Sequence, residues 1–98
     1  MPDRKEYSLN IRINGRELSR IFIDQHYKVK HLDVTDEIIL SLVKQLDGRD
    51  FDIEDEDDEF QYFRVEPVYF EAAPYRLILL LCITDNFLGV VNAFRIKR

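Results

Sequence analysis

Apolar and polar residues alternate from Tyr7 to Ile13. Tyr7, Leu9, Ile11 and Ile13 fall on one side, and Ser8, Asn10 and Arg12 on the other. A period of two predicts a half-buried strand. Asn14-Gly15 follows, a pair suited to a two-residue hairpin turn because both central residues must take positive φ. Leu18 to Ile23 then predicts the returning strand. Beyond a polar bridge over residues 24–33 the period changes. Ile38, Ile39, Leu42, Val43 and Leu46 recur at helical spacing and make one apolar stripe. The helix should begin near Val34 or Thr35, with Asp33 or Thr35 as its cap and Asp36 and Glu37 suiting the dipole, and should end at Gly48.

Residues 49–59 read as an acidic loop, and three strands are predicted after it. The first runs from Phe60 to Tyr69 or Phe70, with Pro67 marking an edge or a bulge. Ala72-Ala73-Pro74 turns the chain into Tyr75–Ile83, which is almost wholly apolar. Such a run predicts a central strand covered on both faces. Asp85-Asn86 turns it again into Phe87–Ile96. The expected fold is α+β: one amphipathic helix packed on a mainly antiparallel sheet of about five strands, in the order ββ-α-βββ.

Composition narrows the class. A chain of 98 residues, 46% hydrophobic and 12% aromatic, fits one domain over 1–98 and is too apolar for a disordered chain. Cys82 is the only cysteine, so no internal disulfide can form. The longest apolar run, Leu77–Ile83, is far shorter than the ~20 residues of a spanning helix. The charged start, Asp3-Arg4-Lys5-Glu6, leads into no long apolar stretch, so neither a signal peptide nor a membrane partner is expected, and a cytoplasmic protein is.

The net charge of −5 hides an uneven distribution. Residues 52–59 hold seven carboxylates. Residues 1–31 and 89–98 each carry a balance of +3. A polyanion could therefore find a basic surface if the two ends meet in the fold.

Two segments contain candidate chemistry. The bridge His26-Tyr27-Lys28-Val29-Lys30-His31 holds both histidines of the chain. Histidines can serve as base and acid near neutral pH, and lysines can stabilise charge on phosphate. RNA cleavage by 2′-OH attack needs those parts and no metal. In the last strand Leu88, Val90, Asn92, Phe94 and Ile96 should share one face, and Gly89, Val91, Ala93 and Arg95 the other. Asn92, a polar residue in an apolar row, either buttresses a turn or points at a ligand. Arg95 could seat a phosphate, and a turn at 84–86 would bring Arg76 close to it. Phe60-Gln61-Tyr62-Phe63-Arg64 reads as half-buried strand before base-stacking surface.

Other chemistries lack their motifs. The acidic run has no glycine for a calcium loop. No Cys/His pair has zinc spacing, no glycine-rich loop could cradle a phosphate, and no serine sits in a nucleophile elbow. No metal and no cofactor is expected.

Four features in order carry a family resemblance: Lys30-His31 ahead of a helix, a helix without catalytic residues, Tyr75-Arg76-Leu77-Ile78 opening a strand pair, and Val91-Asn92-Ala93-Phe94-Arg95 in the last strand. Over about residues 26–96 this layout resembles the RelE-like toxin superfamily, BrnT in particular, within the wider group of barnase-, colicin- and EndoU-like small nucleases. The resemblance implies a metal-independent endoribonuclease toxin with RNA as substrate and an antitoxin-like protein as partner. His31, His26 and Arg95 would be catalytic, and Lys28, Lys30, Arg76 and Asn92 would bind substrate. The competing expectation is a non-enzymatic interaction module that uses residues 52–59 to dock a basic partner.

Overall fold

The structure, a computed structural model, describes residues 4–26 and 33–97. Strands β1 (Arg4–Ile13) and β2 (Arg16–Asp24) pair antiparallel around Asn14-Gly15. Both turn residues take positive φ, 53° and 74°, the region Asn and Gly enter with least strain. A bulge sets Leu9 and Asn10 against Ser19, yet Ile11 and Ile13 remain in the core.

Thr35 caps helix α1 (Asp36–Lys44), its Oγ1 accepting the Ile38 N–H at 3.2 Å. Ile39, Leu42 and Val43 are fully buried, and each such side chain contributes about 1.5–3 kcal/mol relative to exposure. The helix stops at Lys44, short of the expected Gly48, with Gln45 as its cap. Leu46 is nevertheless fully buried, carried into the core by turns over residues 45–48. Gly48, at φ 81°, donates its N–H to the Arg12 carbonyl at 2.7 Å. It therefore turns the chain back along β1 and does not cap the helix.

Strands β3 (Asp55–Glu56), β4 (Phe60–Phe70), β5 (Ala73–Cys82) and β6 (Phe87–Arg95) complete one sheet of order β1-β2-β6-β5-β4-β3. The class is α+β with one short helix, as expected. The sheet has six strands where about five were expected, because β3 forms inside the acidic segment. One pair, β2 with β6, is parallel, and the other pairs are antiparallel. Pro67 lies in a bulge of β4 between Val65 and Val68, where a missing N–H is tolerated.

The core lies on the helix side, where Ile39, Leu42 and Val43 join Ile21, Phe63, Leu77, Leu79 and Leu88 in one cluster. Along β5, Tyr75, Leu77, Leu79 and Leu81 are buried, while Arg76, Ile78 and Leu80 are only half-buried. β5 is an interior strand, and among the described residues no helix lies on its second face. Among those residues no helix is long and apolar enough to cross a membrane.

Tyr7 ties β1 to the start of the helix. Its hydroxyl donates to Asp36 Oδ2 at 2.5 Å, and Gln25 Nε2 donates to the same oxygen at 3.4 Å. The bond to Asp36, with partial burial and the neighbouring charge, pushes the Tyr7 pKa up to about 12. A raised pKa means folding favours the protonated phenol. This contribution is complete below pH 10, the ordinary tyrosine value, and is lost as pH rises toward 12. Tyr7→Phe is expected to cost about 1–2 kcal/mol at neutral pH. It should also flatten the alkaline loss of stability above pH 10, both read from urea unfolding curves.

Candidate docking surface

Among the described candidate residues, the strand register separates Arg76 from Arg95. Lys28, Lys30 and His31 lie outside those residues. His26 is exposed, with Nδ1 2.8 Å from Asp24 Oδ1, and its backbone N–H donates to the same oxygen at 2.9 Å. Arg76 and Arg95, expected side by side, are on opposite faces. A four-residue turn pairs Cys82 with Phe87, and a bulge at Val91 then shifts the register, so Tyr75 faces Arg95 and Arg76 faces Phe94. Directly opposed residues share a face and sequence neighbours alternate. Arg95 therefore sits on the helix side with Tyr75, and Arg76 on the other. Arg76 Nε bonds Glu66 Oε2, and its guanidinium lies 5.4 Å from the centre of the Phe94 ring.

The same bulge corrects the expected facing of β6. Leu88 and Val90 are on the helix side, but Ala93 joins them there, while Asn92 pairs with Ile78 on the second face. Asn92 Oδ1 accepts the Ala93 N–H at 2.9 Å. The side chain thus ties down the backbone at the bulge.

The acidic segment is folded. Asn14 grips the chain that leads into it: Nδ2 donates to the Phe51 carbonyl at 3.1 Å, and Oδ1 accepts the Phe51 N–H at 2.5 Å. Phe51 stacks on buried Phe63 at 5.6 Å, and Ile53 packs against the core. From this anchor Asp55 and Glu56 pair with Tyr62 and Gln61. Asp57 closes the turn, its Oδ1 accepting the Glu59 and Phe60 N–H groups, both at 2.8 Å. Those two bonds hold the Asp57 pKa below the ordinary carboxylate value. Glu54 meets Arg64 at 3.1 Å. All seven carboxylates of 52–59 are exposed. Among the described residues no group of three or more acidic, histidine or cysteine side chains is arranged to hold a metal ion.

The sheet face away from α1 is apolar at its centre. One lateral row crosses the sheet through Glu6, Phe22, Gly89, Leu80, Tyr62 and Asp55 on successive strands. Phe22 meets Phe87 edge-on at 4.7 Å, and the Arg4 guanidinium sits 4.3 Å from the Phe22 ring centre. The Leu80 side chain lies across Gly89, so close that a Cβ there would fall 2.8 Å from it. Phe22, Phe60, Tyr62, Leu80 and Val91, with Arg4 and Asp24 at its rim, border a shallow depression of about 320 Å³. The row ends at the acidic hairpin, so the apolar centre and the carboxylates form one continuous surface.

The chain matches no protein-family model, no curated protein and no solved structure. The sequence does not mark Phe22 or Leu80 as surface. The available signal was the second set of apolar positions in Tyr75–Ile83: Ile78 and Leu80 demand cover that the single predicted helix could not supply.

Asp57→Ala should loosen the hairpin without unfolding the sheet, read as faster hydrogen exchange at the Glu59 and Phe60 amides. In the unmodified protein, the Phe60 amide shift should titrate with a midpoint below the ordinary aspartate value. The depressed pKa means the turn is intact above that range and released as pH falls through the Asp57 pKa.

Proposed function

We propose that the protein is a non-catalytic interaction module whose acidic hairpin, residues 52–59, docks a basic protein partner. The observation that carries this reading is the hairpin's ordered anchoring. Its carboxylates are held by strand pairing, by the Asn14 clamp and by the Asp57 turn, and are exposed together. A fixed array of like charge presents a strong field to a cation and loses little entropy on binding. Arg64 offsets only Glu54 by direct contact. The metal-independent ribonuclease reading, with RNA as substrate and an antitoxin as partner, requires cationic and titratable groups around one phosphodiester. His26 bonds Asp24, and Arg76 and Arg95 face opposite ways, so the described residues favour the module.

The test is anisotropy of a fluorescent arginine-rich peptide against the protein and a variant combining Asp55→Asn, Glu56→Gln, Asp58→Asn and Glu59→Gln. Binding should weaken at least about tenfold between low and roughly 0.3 M salt, and the variant should not bind. Equal binding by both proteins would overturn the reading. So would magnesium-free RNA cleavage that disappears with His31→Ala.

A further inference from the structure

We infer that Asn14 is a latent modification site: deamidation there loosens the acidic hairpin from the sheet, so the order of the hairpin lapses as the chain ages. The consequence for docking rests on the role proposed for residues 52–59; the loosening itself does not. Three observations carry the inference. Asn14 precedes Gly15, whereas the other asparagines of the chain precede Ile11, Phe87 and Ala93. Glycine alone has no Cβ to keep its nitrogen away from the asparagine side chain. The Asn14 amide is also the clamp on the chain leading into β3, with Nδ2 donating to the Phe51 carbonyl at 3.1 Å and Oδ1 accepting the Phe51 N–H at 2.5 Å. Gly15 is exposed with open space beside it, so water reaches the turn.

The reaction balances with water as its one co-reactant. The Gly15 nitrogen attacks Asn14 Cγ, a C–N bond forms, and Nδ2 leaves as ammonia with the Gly15 amide proton. Water then opens the cyclic imide at one carbonyl or the other and leaves aspartate or isoaspartate. The clamp gates the first step, because the side-chain amide must turn onto the Gly15 nitrogen and thereby breaks its bonds to Phe51. The products in turn destroy the clamp. An aspartate has no donor for the Phe51 carbonyl and sets a carboxylate oxygen against it. An isoaspartate puts an extra carbon into the main chain of a two-residue turn whose geometry pairs Ile13 with Arg16. Neither product can restore both bonds.

The test incubates the full chain at mildly alkaline pH, natively and in urea, and maps the amide-to-acid mass increase by peptide. Acid should accumulate at Asn14 at least about tenfold faster in urea than natively, and in urea ahead of Asn10, Asn86 and Asn92. Equal rates in the two conditions, or no acid at Asn14, overturn the inference. The Glu54 amide, which donates to the Tyr62 carbonyl at 2.8 Å, reports the loosening. Its hydrogen exchange should be at least about tenfold faster in Asn14→Asp than in the unmodified protein. Asn14→Gly, which keeps an unstrained turn without a side chain, should show the same gain. Unchanged exchange in either variant overturns the inference and leaves the hairpin role standing. A fluorescent arginine-rich peptide should bind Asn14→Asp at least about threefold more weakly, although the variant carries one more negative charge. Equal or tighter binding overturns the link from loosening to docking. If the unmodified protein fails to bind the peptide, the docking role falls, and the exchange result still decides the loosening.

Discussion

Cover of one sheet face by a single short helix governs the described part of this molecule. Six strands at about 4.8 Å spacing span roughly 24 Å, whereas a helix with its side chains is about 10–12 Å across. α1 cannot roof its own side alone. Val34 and Leu46 from the turns beside it, and Phe51 and Ile53 from the chain leading to β3, complete that layer. The acidic hairpin therefore begins where the roof ends. Its placement at the β3 edge follows from the packing of Phe51 on Phe63 and from the grip of Asn14 on the Phe51 backbone.

Irregularities in the strands decide which side chains reach the second face. β1, β4 and β6 each contain a bulge. In β6 the extra residue, Val91, keeps Ala93 on the helix side under full burial and turns Asn92 outward beside Ile78. A residue as small as Ala93 suits its place opposite Leu77. The same insertion separates Arg95 from Arg76. Bulges of this kind re-aim side chains without ending a strand. Here one residue makes the difference between two clustered cations and a sheet face whose Arg76 is held by Glu66.

The fold was legible where local chemistry and tertiary packing agree. Asn14-Gly15 has a backbone requirement that few residues meet, and Thr35 with Asp36 and Glu37 marks a helix start by polarity alone. The apolar stripe from Ile39 to Leu46 appears in the core as its spacing implies, although the helix itself ends at Lys44. Register was not legible, because alternation is blind to one inserted residue. β3 was hidden because acidic residues have low strand propensity; its pairing comes from the anchored chain on either side and not from its own side chains. The site was less accessible still. Lys28, Lys30 and His31 lie outside the described residues, and the expected Arg76–Arg95 pair depended on a register that Val91 breaks. The apolar content of β5 is visible in the sequence, but which of its two faces α1 covers is set by packing across strands, and alternation within one strand does not carry that information.

An uncovered apolar sheet face is ordinarily an invitation to self-association. The hairpin answers that hazard by position. Its carboxylates stand at the end of the Phe22–Leu80–Tyr62 row, and Glu6 stands at the other end. Screening confines surface fields to about 8 Å at physiological salt, so charges guard an apolar patch only when they border it. Carboxylates at the row's two ends and the Arg4 guanidinium over the Phe22 ring thus border one apolar centre together. For this reason the acidic edge and the exposed sheet are better understood as one surface than as two unrelated features.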